Sequence, residues 1–557
     1  MQAQKQYKFH LFVLLGLILL NLAFFAFNLN DFFVSDDFDW LTISKNTEHS
    51  LTDYFGTNYY GNRGAGGSYR PLVNLVFWLN YQIGGLNPLS YHLTNLIFQI
   101  GVCFLVYLLV LVLFSEFPEK KRLAILSALF FSILPNHSEA VIWIAAVSDP
   151  MAAFFYLLAF YFYILFRKKA KFYFLLISAT GFILALLTKE IAMTLPLLIL
   201  VWELYEAINK NKFSWRNIIL KPLGYWLILT LYFIARYASI GLFFGYYAQE
   251  KIKIHLGLIF KMFASLVTDL FFYGKMRVVL IDYFCANKLF FVFLLILILT
   301  LAWYALRNYQ PLADKFKVLF LFDAYFVLIL PVLLLNFNNL TDEGERYNYL
   351  PSVVFCILLS LLIVQIKKDR FLKMIILGSL LLYFSAFLIT KNENWHQASL
   401  ISQKAVLNDF KQAVDLTKQN QKLLFVGLPD NFEGVPVLRN GIKLAINLYY
   451  PDYKFTGEVL NAYLRLTRQN WDQQILKWAD YPTGGYLAKT IDGRYWVTGF
   501  DRRETETYIF ENWHYNYANY TADTIRLILK GDYEKALAEN NLQILIFDQG
   551  QLKSLNK

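Results

Sequence analysis

The stretch SDDFDW, Ser35 to Trp40, places two adjacent carboxylates just after the first hydrophobic span of the chain, Leu11 to Leu29. A run of this length crosses a membrane as a helix, so Asp36 and Asp37 are predicted to lie at a membrane surface. A lipid-linked substrate presents its head group at that level. An isolated acidic pair merely ends a hydrophobic helix in water, so the polar residues that accompany it decide whether it is a site.

The composition is that of a membrane protein with many spans. Hydrophobic residues make up 57% of the chain and charged residues 17%, and the mean hydropathy is +0.40. We predict an α-helical polytopic protein with about eleven transmembrane helices, one of them near 288–306. The first span is expected to be a retained anchor, because its apolar run is long and Ala26 to Asn28 is a poor cleavage site.

Basic residues recur in loops that alternate with the other polar clusters, which sets the orientation. Short cytoplasmic loops retain Lys and Arg, so we predict a cytoplasmic N-terminus and an external or re-entrant segment 241–285. The formal charge of +11 then reflects cytoplasmic anchoring and not nucleic-acid binding. The basic loops are Lys120-Lys121-Arg122, Arg167-Lys168-Lys169, Lys210 to Arg216 and Lys367 to Arg370.

Hydropathy falls after about residue 390, and roughly 165 residues remain, enough for one soluble domain. We predict a membrane catalytic domain over 1–390 and an external, periplasmic domain of α/β or α+β class over 391–557. Residues 422–428 and 542–547 are predicted to be buried strands, the first followed by the turn-rich PDNFEG. The pattern of Thr521 to Leu529 is interpreted as helical.

Further polar clusters stand at the ends of later spans. With the basic loops inside, all of them face outward, so they describe a single site together with the acidic pair. These residues are Arg70, His92, His137, Glu139, Asp149, Lys189, Glu190, Glu345, Arg346 and Tyr347.

The cations in these clusters suit a phosphate group. The guanidinium of Arg70 grips phosphate bidentately and stays charged when desolvated, although the same residue could snorkel to lipid head groups. Lys189 either contacts phosphate or neutralises Glu190 beside it. Arg346 is also a phosphate candidate, and Tyr347 either stacks on a sugar or belongs to an interfacial aromatic belt.

The motif PNHSEAVIWIAAVSDP, residues 135–150, concentrates ionisable groups in one external connection. His137 and Glu139 could bind a divalent metal or a sugar hydroxyl, but two ligands at this spacing are not a zinc signature. Asp149 could equally cap the following helix. His92, alone at the start of a span, is typical of a helix-end residue.

The order of these motifs resembles the GT-C superfamily. DD after the first span is followed by YRPL with His92-x-x-Asn95, by H-x-E-A-V, by K-E and by ERYxYLPS. More narrowly, residues 1–390 are similar to the transmembrane O-mannosyltransferases that carry tetratricopeptide repeats and to their bacterial relatives.

The resemblance implies transfer of a sugar, with inversion, from a polyprenyl-phosphate donor to an acceptor at the outer face of a bacterial inner membrane. Asp36 or Asp37 would be the base. Arg70, Lys189 and Arg346 would bind the donor phosphate, and no cofactor is required beyond a divalent metal, if one is used, on His137 and Glu139. Sugar or acceptor would contact His92, His137, Glu139, Asp149, Glu190, Glu345 and Tyr347.

Two departures from that pattern leave the acceptor open among protein, glycan and lipid. Residues 146–149 read AVSD where the relatives have a Gly-Arg-Ala-Asp type of sequence, and no repeat array follows residue 390. A transporter or flippase of lipid-linked glycans is the alternative, although the charges cluster at one membrane face and not at the midplane. A structural subunit or sensor is a third reading. It predicts that changes at Asp36 or Asp37 are harmless.

Overall fold

The computed structural model describes most of the chain. It covers residues 2–45, 52–58, 67–210, 213–243, 256–289, 312–333, 344–366, 370–460, 462–474, 476–480, 486–490, 496–498, 502–513, 521–522 and 524–555. The span predicted near 288–306 and residues 244–255 of the segment 241–285 lie outside these described residues.

The contacts divide the chain into two compact units, which we call the membrane unit and the C-terminal unit. The membrane unit comprises residues 1–30, 43–340 and 344–392, and the C-terminal unit comprises 31–42, 341–343 and 393–557. The acidic stretch that follows the first helix thus groups with the C-terminal residues.

The described α-helices follow one another through the membrane unit with short connections. In chain order they are α1 (Gln2–Phe25), α2 (Asp37–Lys45), α3 (Pro71–Gly84), α4 (Leu89–Leu113), α5 (Lys120–Ile133), α6 (His137–Ile142), α7 (Ser148–Lys169), α8 (Phe172–Leu186), α9 (Leu195–Asn209), α10 (Trp215–Leu220), α11 (Leu223–Ile240), α12 (Leu256–Asp269), α13 (Lys275–Ala286), α14 (Leu312–Ile329), α15 (Ser352–Gln365) and α16 (Arg370–Gln403).

Six helical stretches within the described residues are long and apolar enough to cross a membrane. They are Gln6–Asn28, Leu89–Leu113, Ile144–Lys169, Glu190–Asn209, Trp215–Ile240 and Arg370–Ala413. The predicted helical membrane part is confirmed by these stretches. Two shorter apolar helices, Phe172–Leu186 and Ser352–Gln365, accompany them.

Small residues let α7 and α8 approach closely. A Cβ placed on Gly181 would lie 3.2 Å from the carbonyl oxygen of Phe155, and Ser178 Oγ donates to the carbonyl of Ala159 at 2.6 Å. Such contacts are how apolar helices pack without a hydrophobic driving force. Because α7 and α8 run in opposite directions, the start of α7 and the end of α8 meet at one end of the pair.

The C-terminal unit is built mainly from strands. In chain order these are β1 (Gln421–Val426), β2 (Leu428–Phe432), β3 (Val435–Pro436), β4 (Phe455–Val459), β5 (Ala462–Leu466), β6 (Leu476–Asp480), β7 (Tyr486–Thr490), β8 (Trp496–Thr498), β9 (Arg502–Glu504), β10 (Tyr508–Trp513), β11 (Thr521–Ala522), β12 (Thr524–Leu529), β13 (Leu542–Asp548) and β14 (Gln551–Ser554). Helices α17 (Phe410–Ala413), α18 (Ile442–Tyr449) and α19 (Gly531–Ala538) accompany them.

The strands form three sheets, and the predicted strand-containing C-terminal domain is confirmed. Their orders are β14-β13-β1-β4, β6-β7-β12-β10-β9 and β11-β8-β5-β2-β3. Strand β1 lies parallel to β13 and β4, so the two strands predicted from their apolar runs are neighbours at the centre of one sheet. Strand β14 is antiparallel to β13, and every residue of β13 is buried, as expected for a central strand that is covered on both faces.

The helical interpretation of Thr521 to Leu529 is wrong. Residues 524–529 form strand β12, which pairs with β10 and β7. Ile525 and Leu527 are fully buried and alternate with half-buried Arg526 and Ile528. This period of two is the strand signal, and it outweighs the apolar content that the helical interpretation relied on.

Candidate functional site

Lys189 and Asp149 form a buried ion pair at the end where α7 begins and α8 ends. Lys189 Nζ lies 2.5 Å from Asp149 Oδ1, and both side chains are buried. Asp149 is in the first turn of α7, where the helix dipole favours a negative charge. The pair joins two predicted site residues that are 40 positions apart in the chain.

Arg70 and Glu190 form a second ion pair. The Nε and Nη2 atoms of Arg70 donate to Glu190 Oε2 at 3.2 and 2.9 Å. The other carboxylate oxygen of Glu190 accepts from Arg236 Nη1 at 3.3 Å, and Arg236 is buried within α11. Lys189 and Glu190 therefore bond separate partners instead of neutralising each other.

Glu139 anchors the segment that carries Arg346. Its carboxylate accepts the backbone N–H groups of Gly344, at 3.1 Å to Oε1, and Arg346, at 2.7 Å to Oε2. It also pairs with the Arg346 guanidinium. That guanidinium lies over the rings of Trp143 and Tyr347, at 4.8 and 5.1 Å from their centroids. Glu139 thus fixes both the backbone and the side chain at this position.

The three predicted phosphate-binding cations come together. Burial lowers the pKa of Lys189 to about 8, an effect that Asp149 partly offsets and that repulsion from Arg70 and Arg346 reinforces. Arg346 Nε also lies 3.9 Å from Asp149 Oδ2. The three cations therefore share one electrostatic environment, which we call the cationic cluster: Arg70, Lys189 and Arg346.

The members of the cluster differ in exposure. Arg236 is a fourth cation beside them, and Glu139, Asp149 and Glu190 are the carboxylates to which these cations are bonded. The Arg70 and Arg346 side chains are 23% and 20% exposed, whereas Lys189 is 8% exposed. The two guanidinium groups are thus the members that a ligand can reach.

The two predicted histidines are buried. His137 Nε2 is bonded to Ser352 Oγ at 2.8 Å, and its ring packs against Phe131 and Tyr349. Burial lowers the pKa of His137 to about 3, so its ring is neutral. His92 lies at the start of α4, one turn before Asn95.

The grouping of side chains does not support a metal site. Among the described residues, no three His, Cys, Asp or Glu side chains lie close enough together to hold a metal ion. His137 and Glu139, the candidate metal ligands, bond different partners, as described above. Asn95 Nδ2, near His92, donates to the carbonyls of Val141 and Trp143 and ties α4 to this connection.

Glu345 belongs to a second, separate network. Both of its oxygens accept from Lys391 Nζ at 2.5 Å, and Oε1 accepts from Arg277 Nη1 at 3.0 Å. Arg277 also pairs with Asp269 at 2.7 Å. These cations and carboxylates pair with one another in a buried site, which is the arrangement expected of a structural network.

The acidic pair is described within the C-terminal unit, and its two members differ. Asp37 is buried, and its Oδ2 accepts the backbone N–H of Val34 at 2.9 Å. Asp36 is half-buried, and its Oδ1 accepts from Asn440 Nδ2 at 2.9 Å. One carboxylate thus holds the backbone of its own turn, while the other keeps an accessible side chain.

Asp39 is the third carboxylate of the stretch. Burial, followed by repulsion from Asp36, raises its pKa from 3.8 to about 6. A carboxyl group near Asp36 is therefore held partly protonated near pH 6.

Sequence reasoning missed Arg236, which bonds Glu190, and Trp143, which lies beneath Arg346. A usable signal existed for Arg236, because it is an isolated charge within the apolar run of α11, and such charges usually face the interior of a bundle. Trp143 carried no such signal, since aromatic residues are abundant throughout the chain.

Replacing Asp39 by Asn is expected to stabilise the C-terminal unit at pH 8 by about 1 to 3 kcal/mol and to change little at pH 3.5. The folded pKa is raised, so the parent loses stability as pH rises from about 4 through 6, and the variant does not. Urea unfolding of both proteins in detergent at the two pH values measures this difference. The exposed Asp472→Asn is the control. A gain of equal size at both pH values would contradict the assignment.

Replacing Glu345 by Gln is expected to destabilise the membrane unit by about 3 to 5 kcal/mol, because the buried Arg277 and Lys391 then lose the carboxylate that both of them bond. Thermal unfolding in detergent measures the loss. The Glu206→Gln variant breaks an exposed pair with Lys210 and should cost less than about 1 kcal/mol. Adding Lys391→Met to Glu345→Gln should recover part of the loss. An unaltered midpoint for Glu345→Gln would refute the structural role.

No family model matches the chain. Curated relatives match parts of it: protein O-mannosyl-transferase TMTC3 of Mus musculus is 35% identical over 135 residues, 23% of this chain and 14% of the relative. TMTC3 of Homo sapiens is 32% identical over 187 residues, 31% of this chain and 20% of the relative. Tmtc1 of Drosophila melanogaster is 32% identical over 159 residues, 28% and 18% of the two chains.

Solved structures also match the chain. The oligosaccharyltransferase of Archaeoglobus fulgidus, in complex with Zn and sulfate, covers 74% of this chain and 60% of its own at 13% identity, with a TM-score of 0.42. ArnT from Cupriavidus metallidurans, bound to undecaprenyl phosphate, covers 82% and 90% at 15% identity, with a TM-score of 0.38.

The matches span at most a fifth of the length of the three relatives described. All three relatives are nevertheless protein O-mannosyl-transferases, which is the kind of protein that the order of the motifs indicates. In its matched part the chain is therefore similar to the transmembrane O-mannosyltransferases, which confirms the resemblance predicted from its motifs.

Proposed function

We propose that the protein is a membrane glycosyltransferase that moves a sugar from a polyprenyl-phosphate donor to an acceptor hydroxyl. The observation that carries this proposal is the cationic cluster, in which Arg70, Lys189 and Arg346 share one environment and the Arg70 and Arg346 side chains stay partly exposed. The similarity to O-mannosyltransferases supports the same class of reaction.

The cations of the cluster suit the donor. A phosphodiester, such as a sugar linked through phosphate to a polyprenol, carries one negative charge, and cationic side chains bind such a group. Guanidinium groups bind phosphate oxygens in a fixed fork geometry. Arg70 and Arg346 are exposed enough to do so, while their carboxylate partners hold them in position.

Asp36 is the better candidate for the catalytic base. A base must reach the acceptor hydroxyl, and the half-buried Asp36 is more accessible than the buried Asp37. Asp37 already accepts the N–H of Val34, which assigns it to the turn that presents its neighbour.

The proposed step is an in-line displacement with inversion. Asp36 takes the proton of the acceptor hydroxyl while that oxygen forms a bond to the anomeric carbon. The bond from the anomeric carbon to the phosphate oxygen breaks, and polyprenyl phosphate leaves with a second negative charge. Arg70 and Arg346 stabilise that charge as it develops. Electrostatic stabilisation of this kind is usually the largest single contribution to catalysis.

The setting of the reaction follows from the predicted topology. We propose that the protein lies in a bacterial inner membrane, with its N-terminus in the cytoplasm and its C-terminal unit outside. The acceptor is a protein, glycan or lipid at the outer face. His92, His137, Asp149 and Glu345 are buried, so the half-buried Glu190 and Tyr347 are the better candidates for contact with the sugar.

The decisive experiment is transfer of radiolabelled sugar from a panel of polyprenyl-phosphate donors by the full-length protein in lipid. A native membrane and periplasmic extract provides the acceptor. Asp36→Asn should lower the rate by roughly a hundredfold to ten-thousandfold, because the general base is lost. Asp37→Asn should stay within about threefold, since an Asn oxygen still accepts the Val34 N–H.

These isosteric variants control for each other. A large loss in Asp37→Asn with a parent-like rate in Asp36→Asn would reverse the assignment of the base. Donor binding without transfer from any donor in the panel would refute the enzyme and favour a transporter of lipid-linked glycans.

Affinity for polyprenyl phosphate is expected to fall as pH rises from 7.5 to 9.5. Lys189, with a pKa of about 8, is a cation at the lower pH and mostly neutral at the upper pH. The fall should reach up to about thirtyfold, the loss of the protonated form over this interval. Binding of a fluorescent polyprenyl phosphate to protein in detergent at each pH measures it.

The Lys189→Arg variant is the matched control, because arginine stays charged throughout this range. Its affinity should be nearly constant between the two pH values. An equal decline in Lys189→Arg would show that another group titrates, and the phosphate role of Lys189 would be rejected.

A further inference from the structure

The motif PDNFEG in the C-terminal unit has no role in the chemistry proposed above. It lies within residues 428–441, LPDNFEGVPVLRNG, which we call the platform segment. This segment comprises β2, β3 and the connection to α18. It contacts residues 35–38, the start of the acidic stretch, at three successive points.

The first two contacts are hydrogen bonds. The backbone N–H of Ser35 donates to the carbonyl of Val437 at 2.8 Å, and Asn440 Nδ2 donates to Asp36 Oδ1 at 2.9 Å. Ser35 has a φ of 47°, a conformation that a residue other than glycine rarely adopts without support. The platform segment supplies that support on the residue next to Asp36.

The third contact explains a glycine. Gly441 has a φ of +89°, and a Cβ placed there would lie 2.6 Å from the carbonyl oxygen of Ser35 and 3.0 Å from the ring of Phe38. Only glycine permits both this backbone conformation and this close approach. The acidic stretch thus lies directly on the backbone of the platform segment.

The platform segment is itself rigid. Glu433 and Gly434 both have positive φ values, 48° and 92°, as in the tight hairpin turns that join paired strands. Arg439 Nη2 donates to the buried Asp430 at 2.9 Å, and the N–H of Val437 donates to the carbonyl of Asp430 at 3.0 Å. These bonds hold the two ends of the segment together.

We infer that the platform segment positions the catalytic carboxylate. Asn440 orients Asp36, and Gly441 allows the turn at Ser35 to pack directly against the backbone of the segment. Asn440 acts through Asp36 and is a positioning residue. The inference rests on the proposed function, since it takes Asp36 as the base.

The first test uses isosteric variants of Asn440 in the transfer assay. Asn440 is exposed, so Asn440→Asp preserves shape but replaces the donor by a like charge facing Asp36. Turnover should fall roughly tenfold to hundredfold in Asn440→Asp and by less in Asn440→Ala, with the donor KM unaltered. A residue that only packs would tolerate the isostere.

Asn447→Asp is the matched control, because Asn447 is an exposed asparagine on the adjacent helix α18. It should retain the turnover of the parent. Every variant should also retain the melting temperature of the parent. Parent-like turnover in Asn440→Asp would overturn the inference.

The second test does not depend on activity. Hydrogen exchange of residues 31–38 is compared between the parent protein and Gly441→Ala, in which the new Cβ collides with Ser35. Exchange should accelerate at least about threefold in that stretch. The control is Gly85→Ala, whose φ is also positive, +55°, but where no described atom lies within 4 Å of the new Cβ. Unaltered exchange in Gly441→Ala would refute the platform.

The two proposals fail in different ways. If Asp36→Asn retains transfer activity, the proposed function fails, while the exchange experiment still reports on the platform segment. If Asp36→Asn is inactive but Asn440→Asp turns over like the parent, the function stands and the positioning role is rejected.

Discussion

The membrane unit depends on the pairing of charges where its apolar helices end. An unpaired charge is expensive in a low-dielectric interior, so each carboxylate at this end must be near a cation. Asp149 has Lys189, Glu190 has Arg70 and Arg236, and Glu139 has Arg346. These pairs join residues that are up to 207 positions apart. They therefore fix which helix ends meet, and the candidate site is the place where they meet.

The same pairing prepares the cluster for an anion. The carboxylates orient guanidinium groups that remain partly exposed. Little reorganisation is then needed when charge develops on a leaving phosphate, which is the condition for effective electrostatic catalysis. Glu345 illustrates the alternative, because Glu345 and its partners Arg277 and Lys391 are all buried.

The acidic stretch depends on a different constraint, the shape of its backbone. A turn with a positive φ at Ser35 must be supported from outside. Asp37 supplies one bond from within the turn, and residues 428–441 supply the others. Two adjacent aspartates of identical chemistry consequently have different environments, one buried and engaged with the backbone, the other accessible.

From the sequence alone, the class of protein, a set of candidate site residues and the resemblance to O-mannosyltransferases could be predicted. Hydropathy and the order of DD, YRPL, H-x-E-A-V, K-E and ERYxYLPS are local properties, so they can be recognised without a structure. Only the tertiary structure decided which charges pair, that Arg236 joins Glu190, and that Asp36 and not Asp37 is accessible. It also showed that residues 524–529 form a strand. These outcomes depend on groups that are distant in the chain and brought together by packing, which local periodicity does not encode.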